Sequence, residues 1–129
     1  MNQEIKEKWI QALKSGEYEQ CQGFLRIINT KGELEYCCLG VLCDIYAKEN
    51  NIEWKDNMYG EEYSVLSTDI VECNELPEEV AAWAGCFKQD PSVIVKDTLL
   101  NHEDKYSLTY LNDTLDMTFE QISNFIEQL

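Results

Sequence analysis

The sequence predicts a single α+β domain in which short β-hairpins pack with about four helices. Apolar residues recur at helical spacing in several stretches, and alternating β-type runs flank clusters of turn residues. Neither an internal repeat nor a linker divides the 129 residues. A chain of this length is typical of one domain with a self-sufficient core, so we assign residues 1–129 to one compact domain.

The first third of the chain predicts a helix and then a β-hairpin. The helix covers residues 2–14, and its buried face carries apolar residues four positions apart, namely Ile5, Trp9 and Leu13. The hairpin pairs residues 24–28 with residues 34–37 across the turn signal at 29–32. The polar residues 17–23 predict no regular structure.

The middle of the chain predicts a buried helix followed by an irregular β excursion. Apolar residues at helical spacing favour a helix over residues 39–49, directly after the second hairpin strand. Gly40, near the start of this helix, leaves room for another stretch of backbone to approach closely. Residues 50–74 alternate weakly around Gly60 and predict short strands with acidic side chains.

The final third predicts two helices with clear boundary residues. Pro77 followed by two glutamates is typical of a first helical turn, and Gly85 is typical of a helix end. The capping-box pattern at residues 118–121 marks the start of the last helix. Between them, residues 92–95 predict a short strand and residues 107–112 a helical turn or short helix.

Negative charge is the unusual global property of the chain. Ten Lys and Arg residues stand against 25 Asp and Glu residues, a net charge of −15. Residues 49–79 hold ten acids and one lysine, a net charge of −9 in that segment. Such a field repels nucleic acid and anionic membrane, and no apolar run approaches the ~20 residues of a membrane span. We therefore expect no direct nucleic-acid binding, no membrane insertion and, without a signal-peptide pattern, a cytoplasmic location in bacteria.

Three of the six cysteines lie within residues 37–43, which raises the question of metal, redox or nucleophilic chemistry. The sequence has no C-x-x-C pair, and His102 is its only histidine, so neither a zinc site nor a thioredoxin-like site is indicated. Position near a helix N-terminus would lower the thiol pKa of Cys38, the one feature favouring cysteine chemistry. We predict reduced, packed thiols, with no metal, no cofactor and no catalytic residue. The same junction at Cys38 offers free amides that suit an anion such as phosphate.

Five residues in the first half are candidates for holding a ligand. Arg26 is the only arginine, and its planar guanidinium matches phosphate or carboxylate, although an internal salt bridge is the alternative. Tyr36 faces it across the predicted hairpin, with core packing as the alternative. Tyr18 and Gln20, in the preceding polar loop, are candidates for a base or ribose contact, or for a loop brace. Trp54 is a candidate stacking lid or partner anchor.

Two further candidates lie near the end of the chain. Asn112 and Asp113 precede a turn, where short polar side chains commonly cap the local backbone. A contact between Asp113 and a ribose hydroxyl is the functional alternative. Asp44, Glu35 and His102 are the residues that an enzyme would use, but their spacing predicts no catalytic arrangement. The polar surroundings of His102 predict a solvated loop.

Four sequence blocks resemble a largely uncharacterised family of small bacteriophage and prophage proteins. The blocks are WIQALKSGEYEQ at 9–20 with GFLR at 23–26, CCLGVLCD at 37–44, LPEEVAAWAG at 76–85, and LTYLND at 108–113 with TFEQI at 118–122. One departure is Cys21, which stands where the family pattern has glycine, so a positive-φ backbone is less expected there.

The resemblance implies a phage protein that antagonises bacterial antiviral defence, and two hypotheses follow. In the first, the protein is a non-catalytic inhibitor that binds and sequesters a small nucleotide immune signal. In the second, the acidic segment at residues 49–79 imitates DNA and blocks a basic host defence protein. A nucleotide-degrading enzyme is a third, weaker hypothesis, and a homo-oligomer is compatible with each.

Overall fold

Five helices and three small sheets form the part of the chain that the computed structural model describes, residues 1–56, 64–65, 74–97 and 102–129. The helices are α1 (Gln3–Lys14), α2 (Cys38–Glu49), α3 (Glu78–Ala84), α4 (Leu108–Asp113) and α5 (Phe119–Ile126). The strands are β1 (Glu19–Gln20), β2 (Arg26–Ile28), β3 (Leu34–Tyr36), β4 (Lys55–Asp56), β5 (Ser64–Val65), β6 (Ser92–Asp97) and β7 (His102–Ser107). The α+β prediction is confirmed, with one helix more than expected.

Capping residues define the helix boundaries, and the sequence predicts two of them, Gly85 and Thr118. Asn2 caps α1 by accepting a hydrogen bond from the amide of Ile5 at 3.0 Å. Gly85 ends α3 in the left-handed conformation, with φ of 73°. Thr118 opens α5 through a complete capping box with Gln121. Within the described ranges, none of these helices has the length and apolar character that a membrane span requires.

The first sheet has the strand order β1-β3-β2 and confirms the predicted hairpin. Strands β2 and β3 are antiparallel, and Arg26 lies opposite Tyr36, as expected. Strand β1 runs parallel to β3 on its other edge, so the prediction of no regular structure for residues 17–23 is wrong at two residues. Two polar residues carry no periodic signal, and their pairing depends on a strand that comes later in the chain. Cys21, next to β1, has no positive φ.

The sheet of β6 and β7 corrects the predicted loop at His102. His102 is exposed, as expected, but it begins β7 and pairs with Asp97 of β6. The sequence HEDKYS conceals this strand because its side chains are mostly polar and face solvent. Gln128 donates to the carbonyl of Ile94 at 2.9 Å and accepts from its amide at 2.8 Å, which closes that edge of β6.

The β excursion predicted for residues 50–74 is present where the structure describes this segment. Strands β4 and β5 form an antiparallel pair, with Lys55 opposite Val65. The remainder of the prediction, including Gly60 and residues 66–73, lies outside the described residues. A short antiparallel pair of strands therefore follows α2, as the sequence indicates.

The cysteine-rich stretch lies in the hydrophobic core, where α1 and α2 meet. Trp9 is fully buried and donates its indole N–H to the carbonyl of Cys38 at 2.9 Å. Cys37, Cys38 and Cys43 are also buried, and the five cysteines of the described ranges are free thiols. Burial raises the pKa of Cys37 to about 12 and raises that of Cys38 as well. The expectation of a lowered thiol pKa at Cys38 is therefore wrong, because desolvation outweighs the helix terminus.

Gly40 confirms the expected close approach of backbones. A Cβ atom at this position would overlap the carbonyl oxygen of Leu25 and lie 2.7 Å from its carbonyl carbon. The amide of Cys37 donates to the same carbonyl at 3.2 Å. The first turn of α2 therefore lies directly on the backbone that leads into β2.

Replacing Gly40 with alanine should destabilise the protein by roughly 3 kcal/mol, since the added methyl group meets rigid backbone in a close-packed interior. Urea unfolding at pH 7 measures this change. The matched control is Gly32→Ala, at a turn with φ of 78° and open space around the added Cβ, for which a cost of about 1 kcal/mol is expected. A larger cost at Gly32 than at Gly40 would contradict the close-packing argument.

Candidate ligand-binding site

Four of the predicted ligand-binding residues lie together, and we call Tyr18, Arg26, Tyr36 and Trp54 the aromatic cluster. The ring of Tyr36 contacts Tyr18 edge to face, with centroids 4.9 Å apart, and Trp54 in the same manner at 6.1 Å. The guanidinium of Arg26 lies 4.8 Å from the centroid of the Trp54 ring, within cation–π range. Aromatic faces and one cation are therefore combined at one place.

Strand pairing explains why these side chains meet. Arg26 and Tyr36 are direct partners across β2 and β3, while Tyr18 immediately precedes β1 on the other edge of β3. Trp54 immediately precedes β4, and it packs across the same region. Burial raises the pKa of Tyr36, and the positive charge and hydrogen bond of Arg26 partly oppose that shift.

Asp44, on α2, anchors the aromatic cluster. Its carboxylate accepts hydrogen bonds from the hydroxyl of Tyr18 at 2.6 Å and from the indole N–H of Trp54 at 3.0 Å. The ammonium of Lys48, one helical turn later, lies 3.1 Å from the same carboxylate. Asp44 is only 6% exposed, so these three donors offset the cost of burying its charge.

Asp44 and Lys48 are site residues that the sequence-based ligand candidates do not include. The available signal is their spacing of four on a helix, which is typical of an acid–base pair on one face. From the sequence alone, Asp44 is a candidate only as a residue that an enzyme would use. Because its carboxylate is committed to three donors, we interpret it as a positioning residue for Tyr18 and Trp54.

The protonation states of the cluster follow from these contacts. Burial and then the hydrogen bond to Asp44 raise the pKa of Tyr18 to about 12, so its hydroxyl donates at neutral pH. The hydrogen bond to Asp44 raises the pKa of Lys48, which stays cationic. The Lys48 ammonium also lies 5.5 Å from the centroid of the Tyr18 ring.

The other predicted candidates form a separate, buried polar network. Asn112 is fully buried, and its side-chain oxygen accepts from the amide of Gln20 at 2.8 Å and from the backbone amide of Cys38 at 3.2 Å. Its side-chain amide donates to the carboxylate of Asp113 at 2.8 Å. Gln20 also donates to the carbonyl of Met117 at 2.8 Å. This network connects β1, α2 and α4, and its groups satisfy one another.

The network corrects two expectations. The amide of Cys38 is already bonded to Asn112, and the thiol of Cys37 accepts from the amide of Gly40 at 3.4 Å. The amides of Cys38 and Gly40 therefore have protein partners and are not the free amides expected for an anion. Asn112 also differs from the expected local cap, because Gln20 and Cys38 are distant in sequence.

The three residues proposed for an enzyme remain apart. Asp44 lies on α2, Glu35 on β3 accepts from the side chain of Asn29 at 2.8 Å, and His102 on β7 lies 3.0 Å from Asp104. In the described part of the chain, no hydrogen bond or ion pair joins any two of the three enzyme candidates. The same ranges contain no group of three or more His, Cys, Asp or Glu side chains arranged to hold a metal ion.

Comparison with known proteins yields one family. Residues 1–129 match the family model described as a domain of unknown function (DUF8296). The chain has no match among curated proteins and none among solved structures. The match covers the chain from end to end but carries no assigned activity, so function has to be argued from the residues themselves.

Between pH 10 and 12, a rise in pH should destabilise the wild-type protein more than it destabilises the Tyr18→Phe variant. The tyrosine of the unfolded chain ionises near pH 10, whereas folding raises the pKa of Tyr18 to about 12. Between these two values the unfolded state loses its proton and is stabilised relative to the folded state, so the free energy of unfolding falls. The stabilisation is complete below pH 10 and is lost as the pH approaches 12. Urea unfolding at pH 8 and pH 11 measures the difference.

Asp44→Asn supplies the matched control, since it should reduce the difference between wild type and Tyr18→Phe by removing the acceptor charge. Equal alkaline losses for wild type and Tyr18→Phe would show that Tyr18 is not held by the buried carboxylate.

Proposed function

The chain belongs to the DUF8296 family, and on that premise we propose that it binds and sequesters a small nucleotide-type ligand without transforming it. The observation that carries this proposal is the aromatic cluster. Arg26 and Trp54 are both partly exposed, and their contact combines a cation with an aromatic surface. The phage-like sequence blocks favour a bacterial immune signal as the ligand.

Each part of the cluster suits one part of a nucleotide. The guanidinium of Arg26 presents a planar set of donors that matches phosphate oxygens. The partly exposed ring of Trp54 supplies a surface for a base, with the buried ring of Tyr36 packed against it, and stacking of a base on an aromatic side chain contributes about 1–3 kcal/mol. Tyr18 is positioned by Asp44 rather than left to rotate, which lowers the entropic cost of binding.

Local charge supports an anion here despite the acidity of the chain. Arg26 brings a cation to this region, and Lys48 compensates the buried carboxylate of Asp44. An anionic ligand approaches against the net charge of −15, but salt limits that repulsion to about 8 Å at physiological ionic strength. Short-range contacts with the cluster then decide whether the ligand stays bound.

Holding the ligand, rather than converting it, fits the chemistry of the described residues. The carboxylate of Asp44 is occupied by three donors and is a poor general base in this arrangement. The thiols of Cys37 and Cys38 are buried and keep their protons, so they are poor nucleophiles. We therefore propose sequestration, in which the protein lowers the free concentration of the signal.

Isothermal titration calorimetry with cyclic dinucleotides, cyclic ADP-ribose isomers and inorganic phosphate tests this proposal. Wild type should bind at least one nucleotide more tightly than phosphate, and the recovered ligand should be chemically unchanged. Arg26→Ala should weaken binding roughly tenfold or more by removing charge-assisted hydrogen bonds, and Trp54→Ala should weaken it to a similar extent.

Arg26→Lys separates charge from geometry, since lysine keeps the charge but lacks the planar fork. Lys96→Ala is the matched control, because Lys96 is an exposed cation on β6 that pairs with Glu103 at 3.2 Å. A folded wild-type protein that binds none of these nucleotides, or binding that Arg26→Ala leaves unchanged, would refute the proposal.

The alternative proposal is an acidic, DNA-like surface that blocks a basic host defence protein. Its support is the net charge of −9 between residues 49 and 79. Of the acids that the structure describes there, Glu53, Glu78 and Glu79 are exposed, while Glu49 pairs with Lys8 at 2.6 Å. Nearly half of this segment lies outside the described residues, so the support comes from charge density.

Capture of a basic host protein from a bacterial lysate should decrease as salt rises and should be lost when four acids of the segment are reversed to lysine. The reversed residues are Glu61, Glu62, Asp69 and Glu72. A control with the same charge change reverses four exposed acids elsewhere, namely Glu7, Glu17, Glu33 and Glu127. Equal loss of capture in both variants would indicate net charge rather than a defined acidic surface.

A further inference from the structure

Phe87 is a fully exposed aromatic side chain on a firmly held loop. Its exposure is 103%, whereas the next most exposed large apolar residue of the described ranges, Ile94, is at 45%. It lies in the loop between α3 and β6, directly after the left-handed Gly85. Single exposed apolar residues are common on folded proteins, so the surroundings of Phe87 decide whether its ring contacts another molecule.

Hydrogen bonds on both sides of Phe87 fix the loop that carries it. The amide of Cys86 donates to Ala81 at 2.9 Å, which continues the end of α3. Gln89 makes two hydrogen bonds to Leu76, one through its carbonyl and one through its side chain, both at 2.9 Å. The ring is therefore presented on a braced backbone, which reduces the entropy lost on binding.

The loop separates two clefts of opposite charge. The cleft on one side, about 350 Å³ in volume, is lined by Lys88 and Lys105, and we call it the basic cleft. The cleft on the other side, about 590 Å³, is lined by three acids and two alanines, and we call it the acidic cleft. Its lining includes Glu75, Glu78, Asp90, Ala81 and Ala82. Phe87 and Lys88 border both clefts.

The surface around Phe87 is self-complementary in charge, because it carries both lysines and acids. In the described ranges Lys88 and Lys105 take part in no ion pair, and Glu75 and Glu78 likewise lack a basic partner. We propose that two copies of the chain associate about a two-fold axis near Phe87, so that the ring of each copy enters the acidic cleft of the other. A contact of this kind places the same patch on both copies and closes the assembly at a dimer.

The side chains that would meet across this interface are chemically complementary. The ring of Phe87 would cover the two alanines of the other copy's acidic cleft, and Lys88 would face the carboxylate of Glu78 in that copy. The net charge of −15 opposes association at long range, but Lys88 of each copy gains a carboxylate at short range. This interface uses none of the aromatic cluster, so it stands independently of the proposed nucleotide binding.

Sedimentation velocity from about 10 μM to about 1 mM protein tests the dimer. Wild type should show a concentration-dependent equilibrium between monomer and dimer. Phe87→Ala should raise the dissociation constant roughly 30-fold or more, as expected for a central aromatic anchor. Leu115→Ala is the matched control, since Leu115 is an exposed apolar residue of another loop and should leave the equilibrium unchanged.

Mixing two charge-reversal variants provides the decisive measurement. Lys88→Glu alone and Glu78→Lys alone should each be monomeric, because a two-fold contact would then oppose like charges twice. An equimolar mixture should dimerise again, because both contacts of the mixed pair regain opposite charges. A wild-type monomer throughout the range, a dimer unaffected by Phe87→Ala, or a mixture that stays monomeric would each overturn the proposal.

Discussion

The contact between Gly40 and the carbonyl of Leu25 sets the geometry of the candidate site. Because no side chain separates them, the first turn of α2 lies against the backbone immediately before β2. Asp44 and Lys48 follow Gly40 at intervals of four residues, so they continue the same face of the helix. Arg26 follows Leu25 directly. One backbone contact thus brings an acid, a base and the only arginine of the chain into one neighbourhood.

The elements that the sequence predicts correctly are those with local causes. Gly85 ends α3 and Thr118 caps α5, and the turn before β3 fixes which residue of the hairpin lies opposite Arg26. These signals lie within a few residues of the structure that they specify. The same locality explains the correct interpretation of the cysteine-rich stretch, where helical spacing places the thiols among apolar neighbours.

The elements that the sequence does not predict depend on distant partners. Strand β1 exists because β3 lies beside it, and β7 is polar because it needs only one neighbour to form its ladder. The role of Asp44 depends on Tyr18 and Trp54, which are 26 and 10 residues away. A spacing rule on α2 indicates a pair with Lys48 but does not reveal the two other donors. Tertiary contacts of this kind leave no periodic signal.

Burial divides the predicted ligand residues into two physically different groups. Asn112 is fully buried, and its side-chain oxygen and nitrogen both have protein partners, so removing a partner would leave a desolvated polar group. The guanidinium of Arg26 lies over the face of the Trp54 ring, and both side chains are partly exposed. A ligand can therefore still contact them. Residue type alone makes both groups ligand candidates. Burial then makes Asn112 a structural residue and leaves Arg26 and Trp54 as the candidate binding surface.

The distribution of positive charge favours short-range recognition of anions. Several surface lysines are paired with acids, as Lys8 is with Glu49 and Lys96 is with Glu103, and such exposed pairs contribute little to stability. Lys88 and Lys105 make no such pair in the described ranges. A chain with a net charge of −15 repels anions beyond the screening length, so an anionic group is retained only if it reaches direct contact. Selectivity then depends on the fit of the contact rather than on electrostatic attraction over distance, for a nucleotide and for a second copy alike.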